Sequence, residues 1–186
     1  MATVTAGMTM SLNGYVADRR GSADRLYTDL ADLRNTEYMQ SAIRETAAVL
    51  MGRRAFEMGD PDSYVGSYEF QVPIFVLTHH PPTVAPKQDG RLTFTFVTDG
   101  PASAIEQARA AAGDKVVQVV GGASVVQQLL RAGLVDELRV DVVPVLLGDG
   151  LRLFEQVEAA RIQLEKIDVK EVGARTSLAF RVVRST

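Results

Sequence analysis

The chain has 186 residues, 46% of them apolar and 23% charged, close to the roughly 45–50% and 25% of ordinary globular domains. At roughly 100–200 residues per domain this allows one domain over residues 1–186 and no second of similar size. Twenty basic against 23 acidic side chains leave a net charge of −3, which gives no long-range pull on nucleic acid or anionic lipid, so neither is an expected partner. The absence of cysteine excludes a disulfide framework, a thiolate metal site and a cysteine nucleophile together. No apolar run approaches the ~18 residues of a membrane span, and residues 1–10 lack a basic start, so a cytoplasmic protein is expected.

Val4 to Met10 reads as a first strand ending at Asn13-Gly14, a pair suited to a turn. Ala17 to Leu33 has many charges and no clear period and is predicted to be a long exposed loop. Asn35 is the expected cap of a helix with an inward stripe of Met39, Ala42, Ile43 and Ala47. A short apolar strand, Ala48 to Met51, follows. Gly59 to Gly66 holds Asp60, Pro61, Asp62 and Ser63 and is predicted to be irregular. Ile74 to Thr78 is a continuous apolar run of the kind covered on both faces, and Phe94 with Phe96 marks another strand. Pro101 suits the first turn of a helix that Gly113 ends. Val116 to Val120 then runs into Gly121-Gly122 and a helix with an inner stripe of Val126, Leu130 and Leu134.

Leu138 to Leu147 is predicted to be one long strand in which Pro144 marks an edge position or a bulge. Residues 162–172 and 176–183, joined by Gly173-Ala174, read as an antiparallel pair. Strands alternating with helices, followed by strands alone, predict an α/β fold. Its sheet is mainly parallel with an antiparallel C-terminal edge, and helices lie on both faces.

His79 and His80 are the only histidines, and neighbours on an extended segment point to opposite faces, so no metal site is expected. No Gly-x-Ser-x-Gly elbow is present, which ranks hydrolase chemistry low. Three strand ends carry groups that suit an anion. Val120-Gly121-Gly122-Ala123-Ser124 brings bare backbone to a helix start. Gly52 is followed by two fixed charges, Arg53 and Arg54, and Leu77-Thr78-His79 supplies hydrogen-bonding groups. A tight turn without a ligand and a solvated helix start explain the first two equally simply. Since ligands of open sheets bind beyond the carboxyl ends of the strands, all three can border one crevice that takes a dinucleotide.

In order and spacing, Ser11 to Ala17, Leu50 to Glu57, Phe75 to Thr78, Val120 to Gly122 and Gly133 to Gly150 resemble the dihydrofolate reductase-like family. The resemblance is closest to its branch shared with the reductase domain of bifunctional riboflavin-biosynthesis enzymes. It implies a three-layer fold like the one read above and NADPH bound across the sheet. Gly52, Arg53 and Arg54 would meet the phosphates, Thr78 and His79 the 2′-phosphate, and Gly121, Gly122, Ala123, Ser124 and Val125 the pyrophosphate. A cis Gly121-Gly122 peptide is also implied. Asn13, Tyr15 and Ala17 would lie beside the nicotinamide, in a mobile loop whose closure excludes water. Two residues depart from the family pattern: Asn13 where many members have Asp, and Ala55 where folate reductases have Thr. Asp29, Asp32 and Glu37 are candidates for a substrate-holding carboxylate, and Tyr64 and Tyr68 for stacking on a flat ring.

The function expected from all this is hydride transfer from NADPH to a small planar heterocycle, pterin- or pyrimidine-like, or to a conjugated carbonyl. A non-catalytic nucleotide-binding module, encouraged by Asn13 and Ala55, is the alternative, and a phosphosugar binder using only the glycine pair is a third. The resemblance and the long strand containing Pro144 imply a homodimer.

Overall fold

The computed structural model describes residues 1–155 and 162–184. Its strands are β1 (Thr3–Ser11), β2 (Tyr15–Asp18), β3 (Thr46–Gly52), β4 (Ile74–Leu77), β5 (Phe94–Val97), β6 (Val116–Gly121), β7 (Glu137–Val143), β8 (Gly150–Arg152), β9 (Ile162–Val172) and β10 (Arg175–Arg184). Its helices are α1 (Leu30–Arg34), α2 (Glu37–Glu45), α3 (Arg53–Met58), α4 (Tyr64–Ser67), α5 (Pro101–Ala112) and α6 (Ala123–Arg131). Among the described residues eight strands form one sheet in the order β5-β4-β3-β6-β1-β7-β10-β9. Pairing is parallel from β5 to β7 and antiparallel on both sides of β10. β2 and β8 make a separate antiparallel ribbon.

Strand periodicity explains the layers. On β3, Ala48 and Leu50 enter one core with α5 and α6, while Val49 and Met51 enter a second with Phe56, Tyr64, Phe70 and Phe94. Met39 and Ile43 of α2 pack on that second core, so helices cover both faces. Each buried Leu or Val contributes roughly 1.5–3 kcal/mol, and this apolar centre lets the sheet carry polar side chains further along. On β7, Leu138 and Val140 belong to the first core, whereas Arg139 and Asp141, alternating with them, line a cleft.

Several sequence expectations are corrected. The segment 17–33 is structured, with the end of β2, a 3-10 turn at Asp24–Leu26 and the start of α1; Leu26 and Leu33 are buried and anchor it. Thr36, not Asn35, caps α2 by accepting from the Met39 N–H, because the Asn35 side chain donates to Ala31 O. Ala47 falls in β3. Within 59–66 a 3-10 turn at Pro61–Ser63 leads into α4, though Val65 and Gly66 depart from helical angles. Leu134 lies beyond the end of α6, which stops at Arg131. β7 is an interior strand ending at Val143. Pro144 lies beyond it because proline has no N–H for the ladder.

No helix among the described residues is long and apolar enough to cross a membrane.

Candidate functional site

A cleft of about 1170 Å³ opens at the carboxyl ends of β3, β4 and β6 and runs over the polar face of β1 and β7. It exceeds the roughly 300–1,000 Å³ of a pocket for one drug-sized ligand, so two ligands can lie in it side by side. Its lining includes Ala17, Gly52, Arg53, Arg54, Thr78, His79, Gly121, Gly122, Ala123, Ser124 and Val125. Three segments far apart in sequence are thus brought to one opening, because β4, β3 and β6 are adjacent parallel strands and end on the same side.

Main chain builds this end of the cleft. The Gly121-Gly122 peptide is cis. At Gly52 a Cβ would stand 2.8 Å from Val125 Cγ2 and 3.6 Å from Gly122 N, so the two strand ends approach closely only because glycine is there. Gly122 differs: its φ is −80° and nothing lies within 4 Å of where its Cβ would be. Packing inside the protein gives no reason for glycine at 122, whereas a ligand lying on the backbone does. The Val125 and Val126 N–H groups return to Gly122 O, and among the described residues those of Ala123 and Ser124 have no partner. Helix starts leave such donors for anions. Arg53 pairs with Glu57 at 2.6 Å, and the exposed Arg54 makes no ion pair among the described residues. The Thr78 hydroxyl donates to His80 O and accepts from His80 N–H, so it shapes the turn that puts His79 and His80 at the rim.

Asn13 and Tyr15 are outside the lining. The Asn13 amide donates to Leu147 O and its oxygen accepts from Leu147 N–H and Ser11 Oγ; Tyr15 accepts from Arg152. Segment 11–18 is thereby tied to 145–153 instead of hanging as a free loop. An ionised Asp at 13 could not donate to Leu147 O, which accounts for Asn there in local terms. Ala55 lines the cleft and packs on the second core.

Side chains build the other end. Thr9, Asp141 and Ser177 are matched across β1, β7 and β10 by register and share one face. Tyr38 of α2 donates to Asp141 Oδ1 at 2.8 Å and accepts from Ser177 Oγ at 3.0 Å. Burial and the Asp141 charge push the Tyr38 hydroxyl up to about 12. Arg175, only 1% exposed, forms a two-point pair with Asp29 at 2.6 and 2.5 Å, donates to Thr9 Oγ1 and Leu26 O, and stands 3.6 Å from Asp141. Those hydrogen bonds hold the Asp29 carboxyl below its usual range. Tyr27, Tyr38 and Tyr68 wall this end, and Glu69, 3.5 Å from Arg34, lines the cleft beside Tyr68.

Of the carboxylates considered from sequence, Asp29 is bound to Arg175, Glu37 to Arg44 and Asp32 is exposed; none lines the cleft, where Asp141 and Glu69 do instead. Tyr64 and Tyr68 reach the cleft while packing on each other and on Phe56, Phe94 and Phe70. Tyr64 also donates to Phe56 O. Asp141 left one trace in the sequence, a charge alternating with apolar residues inside a strand.

Comparison with known proteins decides the family. The model of the RibD C-terminal domain matches residues 2–178. The chain belongs to that family. A Bacillus subtilis relative of this RibD C-terminal domain, uncharacterized protein YyaP, is 24% identical over 180 residues, covering 91% of this chain and 86% of its own length. Among solved structures, a deaminase/5-amino-6-(5-phosphoribosylamino)uracil reductase from Thermotoga maritima superposes with TM-score 0.74 at 14% identity, covering 98% of this chain and 57% of that one. This domain therefore matches just over half of that protein. Dihydrofolate reductase from Enterococcus faecalis, complexed with NADP(H), gives TM-score 0.61 at 17% identity over 97% and 96% of the two chains. The fold is dihydrofolate reductase-like.

Proposed function

We propose that this RibD C-terminal domain is an NADPH-dependent reductase acting on a small planar heterocycle, pyrimidine- or pterin-like. The observation that carries this is the meeting of three strand ends in one cleft around the free N–H groups of Ala123 and Ser124. Gly52, Gly121 and Gly122 leave backbone bare for a pyrophosphate, and Arg53, Arg54 and His79 supply charge and donors for the remaining phosphates. The cofactor, when bound, supplies a hydride for the second ligand. The protein's part is to align both ligands and exclude water from the apolar and aromatic walls. Relatives point the same way, since the Thermotoga protein is a deaminase/5-amino-6-(5-phosphoribosylamino)uracil reductase and the Enterococcus enzyme was captured with NADP(H). The non-catalytic alternative leaned on Asn13 and Ala55; hydrogen bonds to Leu147 give Asn13 a local structural role, and Ala55 is the departure that still favours that alternative.

Two copies are proposed to pair along β9, the free edge of the sheet. Leu164, Ile167 and Val169 are exposed on it, and the outward N–H and C=O groups of an edge strand are a template for pairing with another chain. Size-exclusion of Ile167→Lys should then elute as a monomer where the unchanged protein elutes as a dimer.

Thermal shift with NADPH, NADH and 2′,5′-ADP tests the main reading. A ligand at ~100 times its Kd stabilises by about 2.7 kcal/mol, so NADPH should give the largest shift, and loss of its absorbance with an added heterocycle should follow. No shift with any dinucleotide would defeat the proposal.

A further inference from the structure

The side-chain end of the cleft contains one carboxylate held from several directions and still facing the open space. Asp141 is only 13% exposed, lines the cleft and is fixed by the central part of β7 between Thr9 and Ser177. Tyr38 donates to one of its oxygens, and Arg175 stands 3.6 Å from the other. An ionised carboxylate has about four acceptor positions on its two oxygens, so these neighbours leave positions for further donors. Glu69 faces the same end but comes from a loop and is matched by Arg34, whereas Asp141 sits on a strand paired on both sides. A group this constrained can select a ligand by geometry, since two parallel N–H donors on a flat ring match the two oxygens of a carboxylate.

We propose that Asp141, oriented by Tyr38, is the specificity-determining residue of the substrate end, and that it takes a planar heterocycle presenting adjacent N–H donors, such as a ring N–H beside an exocyclic amino group. The assignment rests on the reductase reading for the identity of the other ligand, but the binding it describes is measured separately. The aromatic walls contributed by Tyr27 and Tyr68 suit the faces of such a ring, while Asp141 reads its edge.

The test uses the full chain with and without NADPH and two probes of similar ring size. 2-Aminopyrimidin-4-one offers adjacent N–H donors and 1,3-dimethyluracil offers none. By ligand-observed NMR titration the first should bind and the second should bind at least about tenfold more weakly. Asp141→Asn keeps the size of the side chain and should weaken 2-aminopyrimidin-4-one by about tenfold or more while leaving the affinities for NADPH and 1,3-dimethyluracil nearly unchanged. A merely structural Asp141 predicts the preference between probes intact in Asp141→Asn whatever happens to its melting temperature, and that result overturns the proposal. Equal binding of the two probes overturns it as well. Should Asp141→Asn fail to fold, Tyr38→Phe decides: a loss of about threefold for 2-aminopyrimidin-4-one alone supports the assignment, and no change rejects it. Failure to bind NADPH with probe discrimination intact would sink the cofactor reading and leave this one standing.

Discussion

The two ends of the cleft are made in different ways. At the β3, β4 and β6 end the contacts on offer are backbone N–H groups and bare glycines, with charge added from Arg53 and Arg54. At the β1, β7 and β10 end they are side chains, Thr9, Tyr38 and Asp141, fixed by register and by the buried Arg175. Backbone donors are present whatever the side chains are, so the first end should tolerate truncation and resist any added carbon. The second should behave in the opposite way, because each group there holds the next.

The sharpest break in that contrast comes from Arg175. Arg175→Met removes the partner of Asp29 and the neighbour of Asp141 from a site with almost no solvent. Breaking a buried pair costs about 3–5 kcal/mol, which in a domain of this size lowers the melting temperature by roughly 6–20 °C. Calorimetry showing a fall of only a degree or two would mean that the side-chain end is not held together as described.

Gly122→Ala asks the converse question. With nothing within 4 Å of the new Cβ and an ordinary φ, melting should move little, yet NADPH affinity should fall about tenfold, roughly 1.4 kcal/mol. Unchanged affinity by calorimetric titration would remove the reason given for glycine there.

A smaller effect is expected from charge alone. Alanine at both Arg53 and Arg54 should reduce the preference for NADPH over NADH by several-fold, with NADH binding little affected. Equal losses for both dinucleotides would show that the arginines do not read the extra phosphate.

The smallest effect concerns acid. Asp29 is held below its ordinary value of 3.8 by Arg175, so the folded protein binds that proton more weakly than the unfolded chain does. The resulting stability is present above 3.8 and lost as the pH falls through the lowered value. Denaturant titrations should therefore show Asp29→Asn less stable than the unchanged protein at about pH 6, with the gap narrowing only below that ordinary value. A gap independent of pH would mean that packing, not charge, makes the difference.

Sequence alone carried the layer order and the backbone end of the cleft, for a physical reason in each case. Strand and helix periods are local, so the β3, β4 and β6 cores and the buried Val126 and Leu130 of α6 were readable from a few residues at a time. Glycines at strand ends are local too: Gly52 marked a place where chain must approach chain, and Gly121-Gly122 a stretch of bare backbone. Thr36 displaced Asn35 as a cap, and α1 replaced part of a supposed loop, because side-chain hydrogen bonds and the burial of Leu26 and Leu33 settle such choices. The side-chain end could not be read in this way. Thr9, Tyr38, Asp141 and Arg175 lie on four elements and have no common spacing. Asp29 was a candidate from sequence and Asp141 was not, yet the antiparallel register of β10 brings Arg175 to Asp29 while Asp141 lines the cleft. Which carboxylate takes the two-point pair with Arg175 and which lines the cleft is a property of who neighbours whom across the sheet, and only the folded arrangement of β1, β7 and β10 decides that.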